Sequence, residues 1–105
     1  MVNEYLRYRI PPELREKFLA DYTAACEQLR ESQVCDGYDL SQCEEEPDCF
    51  ILRIVWTSTA DHLGVFRSSE QFRKFLPLVQ PYIPHLEEMR HYAPTSLQWQ
   101  RAYSK

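Results

Sequence analysis

The sequence predicts an α+β domain of the ferredoxin-like plan, in which an antiparallel sheet of four strands carries its helices on one face. The order of patterns is the first reason, because alternating and helix-periodic segments follow one another as strand, helix, strand, strand, helix, strand. The second reason is size. A chain of 105 residues with 44% hydrophobic content and two glycines provides for one core but not for two.

The first half of the chain predicts a strand, a long helix and a second strand. Residues 4–10 alternate in polarity, so that one face carries Leu6, Tyr8 and Ile10. Pro11 and Pro12 stop this strand and begin a helix that extends to about Glu31. Its apolar stripe consists of Leu14, Phe18, Tyr22, Ala25 and Leu29. Residues 34–42 predict the next strand, with Val34, Tyr38 and Leu40 on one face and Cys35, Gly37 and Cys43 on the other.

The second half begins with CFILRIVW, residues 49–56, whose β-branched and aromatic density predicts a strand covered on both faces. Ser58 is placed to cap a short helix that carries His62, Leu63, Val65 and Phe66. Ser68 and Gln71 have capping-box spacing for another helix, which Pro77 must kink or end. The inward side of that helix holds Phe72, Phe75, Leu76 and Val79. Residues 87–92 predict the fourth strand, with Met89 and His91 on one face.

The outer face of the predicted sheet is partly apolar, since it carries Tyr5, Arg7, Cys35, Ile51, Val55 and Tyr92. A domain of this size cannot easily expose such a face to water, and packing two sheets face to face would bury it. The C-terminal residues Leu97, Trp99, Arg101 and Tyr103 alternate as an added strand does. We therefore expect a homodimer built from a domain of residues 1–94, with residues 95–105 as an extension that crosses to the partner.

Composition excludes several classes of protein. The net charge of −4 without a cluster of Lys and Arg argues against nucleic-acid binding. The sequence has no apolar run long enough for a membrane span, and its N-terminal MVNEYLRYRI lacks the apolar centre of a signal peptide, so we expect a cytoplasmic protein. The four cysteines form no CxxC pair, which predicts no metal site. Cys43 and Cys49 flank a turn, and the sequence leaves both alternatives for them, a disulfide or two free thiols.

Residues 4–94 resemble the antibiotic biosynthesis monooxygenase family of dimeric α/β barrels. The resemblance is carried by YLRYRIPPELREKFLADY, by CDGYDLSQCEEEPDCFILRIVWTSTADHLGVFRSSEQFRKF and by HLEEMRHYAPT. It implies a pocket between sheet and helices in each subunit of a homodimer. Some members oxygenate phenols or quinols without metal or flavin, and others degrade haem. The positions nearest to the asparagine, tryptophan and histidine of the haem-degrading members hold Leu6, Val65 and Leu76, which does not fit that activity.

The resemblance also indicates a subgroup, through His62 and the segment of residues 65–67. Similar domains occur joined to truncated globins, which implies a globin or another haem-linked protein as a redox partner. No cofactor is expected within the domain itself.

Oxygenation without a cofactor requires walls for a flat apolar substrate, a base that forms a phenolate, and a cation near the reduced oxygen. The walls would be Tyr8, Trp56, Phe66 and Phe72, the base His62 or His91, and the cation Arg67. This set predicts a cofactor-independent monooxygenase for a small phenol or quinol. All of these residues also have an ordinary explanation as packing or surface, which would leave a non-catalytic dimeric module that binds a ligand or a partner. A pocket filled by side chains would favour that alternative.

Overall fold

The computed structural model describes residues 1–102 and contains a sheet of four antiparallel strands in the order β2-β3-β1-β4. The strands are β1 (Val2–Arg9), β2 (Cys35–Gln42), β3 (Cys49–Trp56) and β4 (Leu86–Tyr92). The helices are α1 (Pro12–Glu31) and α2 (Glu70–Val79). A π-helical turn (Asp61–Phe66) precedes α2, and a 3-10 helix (Gln80–His85) follows it. The predicted ferredoxin-like plan is thereby confirmed.

Strand β1 lies in the middle of the sheet and brings together residues from both of its neighbours. Its inward positions are all buried, as the alternation predicts, and they hold Val2, Glu4, Leu6 and Tyr8. In the register of the sheet, Glu4 lies opposite Ile54 on β3 and opposite His91 on β4. Glu4 is therefore a charged residue at the centre of the inner face.

The core forms where the stripe of α1 packs on this face. Phe18 is fully buried, and its ring lies 5.1–5.2 Å from the rings of Tyr22, Phe50 and Tyr82, measured between centroids, and 5.2 Å from that of Tyr8. Burying a large apolar side chain of this kind stabilises the fold by roughly 1.5–3 kcal/mol. The predicted stripe is confirmed, with Leu14 only partly buried.

A β-bulge makes one face assignment wrong. Cys35 pairs with Trp56 and Gly37 pairs with the next residue, Val55, so Asp36 is an extra residue in β2. The insertion turns Cys35 onto the inner face, where it packs against the core beside Tyr38 instead of on the opposite face.

Two details of α2 also differ from the prediction. The N-cap is Ser69 rather than Ser68, because the backbone of Ser69 is extended and its hydroxyl accepts a hydrogen bond from the Phe72 N–H at 3.2 Å. Pro77 does not end the helix, which continues to Val79 before the 3-10 helix begins. Since Pro77 stands in the last turn, only the single hydrogen bond that its missing N–H would make is lost there.

The C-terminal segment has an irregular backbone and exposed apolar side chains. Residues 93–102 contain no helix or strand, and Leu97 and Trp99 are 93% and 77% exposed. Tyr103, the last residue of the predicted alternation, lies outside the described residues.

Cys43 and Cys49 are joined by a backbone hydrogen bond of 2.8 Å, but both thiols are free. Within the described part of the chain, no helix is long and apolar enough to cross a membrane.

Candidate active site

A cavity of about 260 Å³ lies between the inner face of the sheet and the helices that follow β3. Six of the seven predicted site residues line it, namely Tyr8, Trp56, His62, Phe66, Arg67 and Phe72. His91 is partly buried and does not belong to the lining. The cavity is therefore open, whereas the packing alternative would have filled it.

The π-helical turn holds His62 over the sheet. The Ser58 hydroxyl accepts a hydrogen bond from the Asp61 N–H at 2.9 Å, so Ser58 caps this turn as predicted. The wider turn places His62 and Phe66 inward and leaves Leu63 exposed. The imidazole of His62 is 4% exposed and stacks on Trp56, with 4.3 Å between ring centroids and 11° between planes. Trp56 thus fixes the plane of the histidine ring.

Three polar side chains meet beside this stack. His62 Nδ1 lies 2.8 Å from His91 Nε2, which is hydrogen-bond distance. The Trp56 indole donates a hydrogen bond of 2.9 Å to Glu4 Oε1, and the same oxygen lies 3.7 Å from His62 Nε2. Glu4 lines the cavity, and the site prediction missed it. The available signal was its position on the alternating face of β1, where a carboxylate interrupts an apolar series.

Burial controls the charge of these groups. Desolvation, with smaller electrostatic contributions from Arg67 and His91, lowers the pKa of His62 from 6.5 to about 4. Desolvation also raises the pKa of Glu4, against the hydrogen bond from Trp56, which lowers it. The 3.7 Å between Glu4 and His62 is within ion-pair range, but burial penalises both charged forms. We therefore assign His62 as neutral at physiological pH.

The donor set of two imidazoles and a carboxylate is also one that binds metals, and one atom from each of Glu4, His62 and His91 lies within 4.8 Å of the others. A metal about 2.0–2.1 Å from both nitrogens would lie off the line that joins them. Here the two rings point at each other along that line, since their centroids are 5.0 Å apart and their facing nitrogens 2.8 Å apart. The two histidines are therefore hydrogen-bonded to each other in this conformation, and Glu4 completes the polar array without a hydrogen bond to His62.

Apart from Arg67, the rest of the cavity is apolar except for a pair of tyrosines. Tyr8 follows Glu4 by four residues on the same face of β1, and its hydroxyl is hydrogen-bonded to that of Tyr22 on α1. Burial raises the pKa of Tyr8 to about 12 and raises that of Tyr22 as well. Both phenols are thus un-ionised. Arg67 is exposed at the other side of the array and supplies the permanent charge of the lining.

Comparison with known proteins places this chain in a family. Residues 1–78 match the family model described as antibiotic biosynthesis monooxygenase, which covers His62 and Arg67 but not His91. No curated protein matches the sequence.

Solved structures show the same fold. A protein from Bordetella bronchiseptica, named as a candidate antibiotic biosynthesis monooxygenase, superposes with a TM-score of 0.77 at 21% identity, over 90% of this chain and 96% of its own. A conserved protein from Methanosarcina mazei Go1 gives 0.74 at 18% identity, over 90% and 92%. Rv0793 from Mycobacterium tuberculosis gives 0.72 at 19% identity, over 90% and 95%. The match of the family model over most of the chain shows that this protein belongs to the antibiotic biosynthesis monooxygenase family.

Proposed function

We propose that the protein is a cofactor-independent monooxygenase that oxidises a small phenol or quinol, with His62 as the general base. One observation carries the proposal: a buried imidazole, neutral at physiological pH, lines an aromatic-walled cavity of about 260 Å³. A base must be unprotonated to accept the substrate's proton, and burial keeps His62 in that state. Trp56, Phe66 and Phe72 offer flat surfaces against which an aromatic ring packs.

The hydrogen bond between the two histidines orients the base. If His62 Nδ1 carries the proton and donates it toward His91 Nε2, then His62 Nε2 has its lone pair free on the cavity side. His62 Nε2 takes the hydroxyl proton of the substrate, and the imidazolium that forms is stabilised through Nδ1–H by His91. His91 therefore acts behind the base rather than as a second base in the cavity, because it does not belong to the lining.

The phenolate that remains reduces molecular oxygen in the next step. One electron passes from phenolate to oxygen, and the radical pair recombines to a peroxide anion. The anion takes back the proton held by the His62 imidazolium, which gives a hydroperoxide and restores the neutral base. Loss of water then leaves one oxygen atom in the product and places the other in water, so the reaction consumes one substrate and one oxygen molecule. The guanidinium of Arg67, at the exposed side of the cavity, provides a positive charge for the reduced oxygen.

We also propose that the protein acts as a homodimer of 1–94 domains, and that residues 95–105 cross to the partner. The outer face of the sheet supports this, since Ile51 and Tyr92 on it are 36% and 42% exposed. The exposure of Leu97 and Trp99 supports a tail whose apolar side chains pack elsewhere.

Oxygen consumption tests the activity. Purified protein, treated with chelator, is mixed with a series of phenols and quinols in an oxygen electrode, and the products are identified by mass spectrometry with labelled oxygen. Incorporation of one labelled atom per turnover is expected. If the protein binds such compounds in the cavity but oxygenates none of them, the non-catalytic binding module replaces the enzyme.

A further inference from the structure

The carboxyl group of Glu4 lies at the centre of the site, next to the proposed base. It is 2% exposed, lines the cavity, and lies beside the nitrogen that faces the substrate. A buried carboxylate without a cation in contact carries a large desolvation cost, which favours the neutral acid. In residues 1–102, no lysine or arginine forms a salt bridge with Glu4.

The distance between Glu4 and His62 leaves room for one oxygen atom. Glu4 Oε1 and His62 Nε2 are 3.7 Å apart, which is too far for a direct hydrogen bond. An oxygen atom can lie about 2.8 Å from both ends of such a gap, at hydrogen-bond distance from each. A substrate hydroxyl placed there would donate to His62 Nε2 and accept from the carboxyl group.

Trp56 orients both sides of this gap. Its indole N–H donates to Glu4 Oε1, and its ring stacks on His62. A protonated Oε1 can donate its hydrogen into this gap and still accept the hydrogen bond from the Trp56 N–H through its remaining lone pair. The carboxyl and the imidazole are thus held by one rigid side chain, which is the arrangement that preorganised sites require.

We propose that Glu4 is a catalytic residue that acts as a neutral acid, donating a hydrogen bond to the same substrate oxygen that His62 deprotonates. This inference rests on the proposed function. The proton moves from the substrate oxygen to His62 Nε2, while Glu4 keeps its own proton and stabilises the oxyanion. A carboxylic acid kept neutral by an apolar site is a known form of oxyanion donor. A carboxylate would instead repel the phenolate and would hold the proton of His62 on Nε2, where the base could not act.

The groups around Glu4 are compatible with its neutral form. The titratable or charged side chains that face it are His62 on the π-helical turn, His91 on β4, Arg67 beyond the turn, Tyr8 on β1 and Tyr22 on α1. Arg67 is the permanent charge among them, and it is exposed, so water screens it. Desolvation is accordingly the largest influence and raises the pKa of Glu4.

Two substitutions of Glu4 distinguish the role of its hydrogen-bond donor from the effect of its ionisation. Glu4→Gln keeps an oxygen for the Trp56 N–H and an amide N–H for the substrate, whereas Glu4→Leu removes both. Glu88→Gln is the matched control, since Glu88 is an acidic residue on β4 that does not line the cavity. Each variant is assayed for quinol oxidation across pH and for binding of 4-nitrophenol, whose absorbance reports its ionisation.

We expect Glu4→Leu to lower the oxidation rate by about 100-fold to 1,000-fold, the usual loss for one oxyanion donor. Glu4→Gln should stay within about tenfold of the wild type and lose the decline in rate with rising pH that ionisation of Glu4 causes. The inference is overturned if Glu4→Leu oxidises quinol at the wild-type rate, if Glu4→Gln loses as much rate as Glu4→Leu, or if Glu4→Gln keeps the same decline with rising pH as the wild type.

The binding assay keeps this inference distinct from the proposed function. Glu4→Leu should bind 4-nitrophenol at least about tenfold more weakly than the wild type, with Glu4→Gln between the two, because Glu4→Leu loses one hydrogen bond to a charged oxygen. If this dependence is found but the wild type oxidises no quinol, the proposed function fails while Glu4 keeps its assigned contact. If Glu4→Leu does not fold, Glu4→Gln alone decides the question through its pH profile.

Discussion

Replacing His62 with glutamine gives the sharpest test of the proposed base. Glutamine retains much of the side-chain volume at this buried position but has no group that accepts a proton near neutral pH. General-base catalysis contributes about 100-fold to 10,000-fold in rate. We therefore expect kcat/KM for quinol oxidation to fall by at least about 100-fold, which corresponds to about 2.7 kcal/mol at about 1.36 kcal/mol per decade.

The structure also sets the expected loss of stability. His62→Gln removes the stacking contact with Trp56, worth about 0.5–1.5 kcal/mol, and alters the hydrogen bond to His91, worth a similar amount. The free energy of unfolding should fall by about 1–3 kcal/mol. Domains of this kind have about 5–15 kcal/mol of stability, so the variant stays folded and unfolding cannot explain the loss of rate.

The assay is oxygen uptake at saturating and at limiting quinol, with circular dichroism as the check on folding. His85→Gln is the control, because His85 ends the 3-10 helix and does not line the cavity. Wild-type activity should decline as the pH falls through about 4, where His62 becomes protonated, and the variant should lack that decline. A folded His62→Gln protein with full activity would refute the assignment of the base.

Three further predictions concern stability and assembly. The pKa of Glu4 in the folded state is raised from 4.5, so its contribution to stability is complete below pH 4.5 and is lost as the pH rises. Glu4→Gln should therefore have a higher melting temperature than the wild type at pH 7, and this difference should disappear near pH 4. Tyr8→Phe leaves the buried Tyr22 hydroxyl without its partner and should cost about 1–3 kcal/mol of unfolding free energy, of which adding Tyr22→Phe should restore part; equal stability of the single variant and the wild type would contradict this. Trp99→Ala should weaken a dimer measured by light scattering if the tail crosses over, and a monomeric wild type at micromolar concentration would exclude the dimer altogether.

The periodic parts of the fold could be predicted because burial imposes its period on the sequence. The alternation in β1 and the stripe on α1 each reproduce the observed inner faces. The bulge at Asp36 could not be predicted, since an extra residue in one strand is defined by its pairing with β3 and not by its own pattern. Ser68 and Ser69 are chemically equal as caps, and the choice between them depends on where the preceding π-helical turn ends.

The aromatic walls of the site could be predicted, but its polar array could not. Phe66 and Phe72 follow from helical spacing, and both line the cavity. The contact between His62 and His91 depends on the strand order, because β4 must lie beside β1 on the side away from β3. Glu4 reaches Trp56 only through the pairing of β1 with β3, over 52 positions of sequence.

The site has a buried end and a solvent-exposed end, and this difference affects where charge can form during the reaction. Glu4 and His62 are almost fully buried and shift toward their neutral forms, whereas the charge of Arg67 is exposed to water. A phenol entering such a cavity would ionise between a neutral base that takes its proton and a neutral acid that donates a hydrogen bond to its oxygen, so no charge would be stored there before the substrate arrives. The electrostatic gain would then appear only as the oxyanion forms, which is the condition for lowering a barrier rather than tightening ground-state binding.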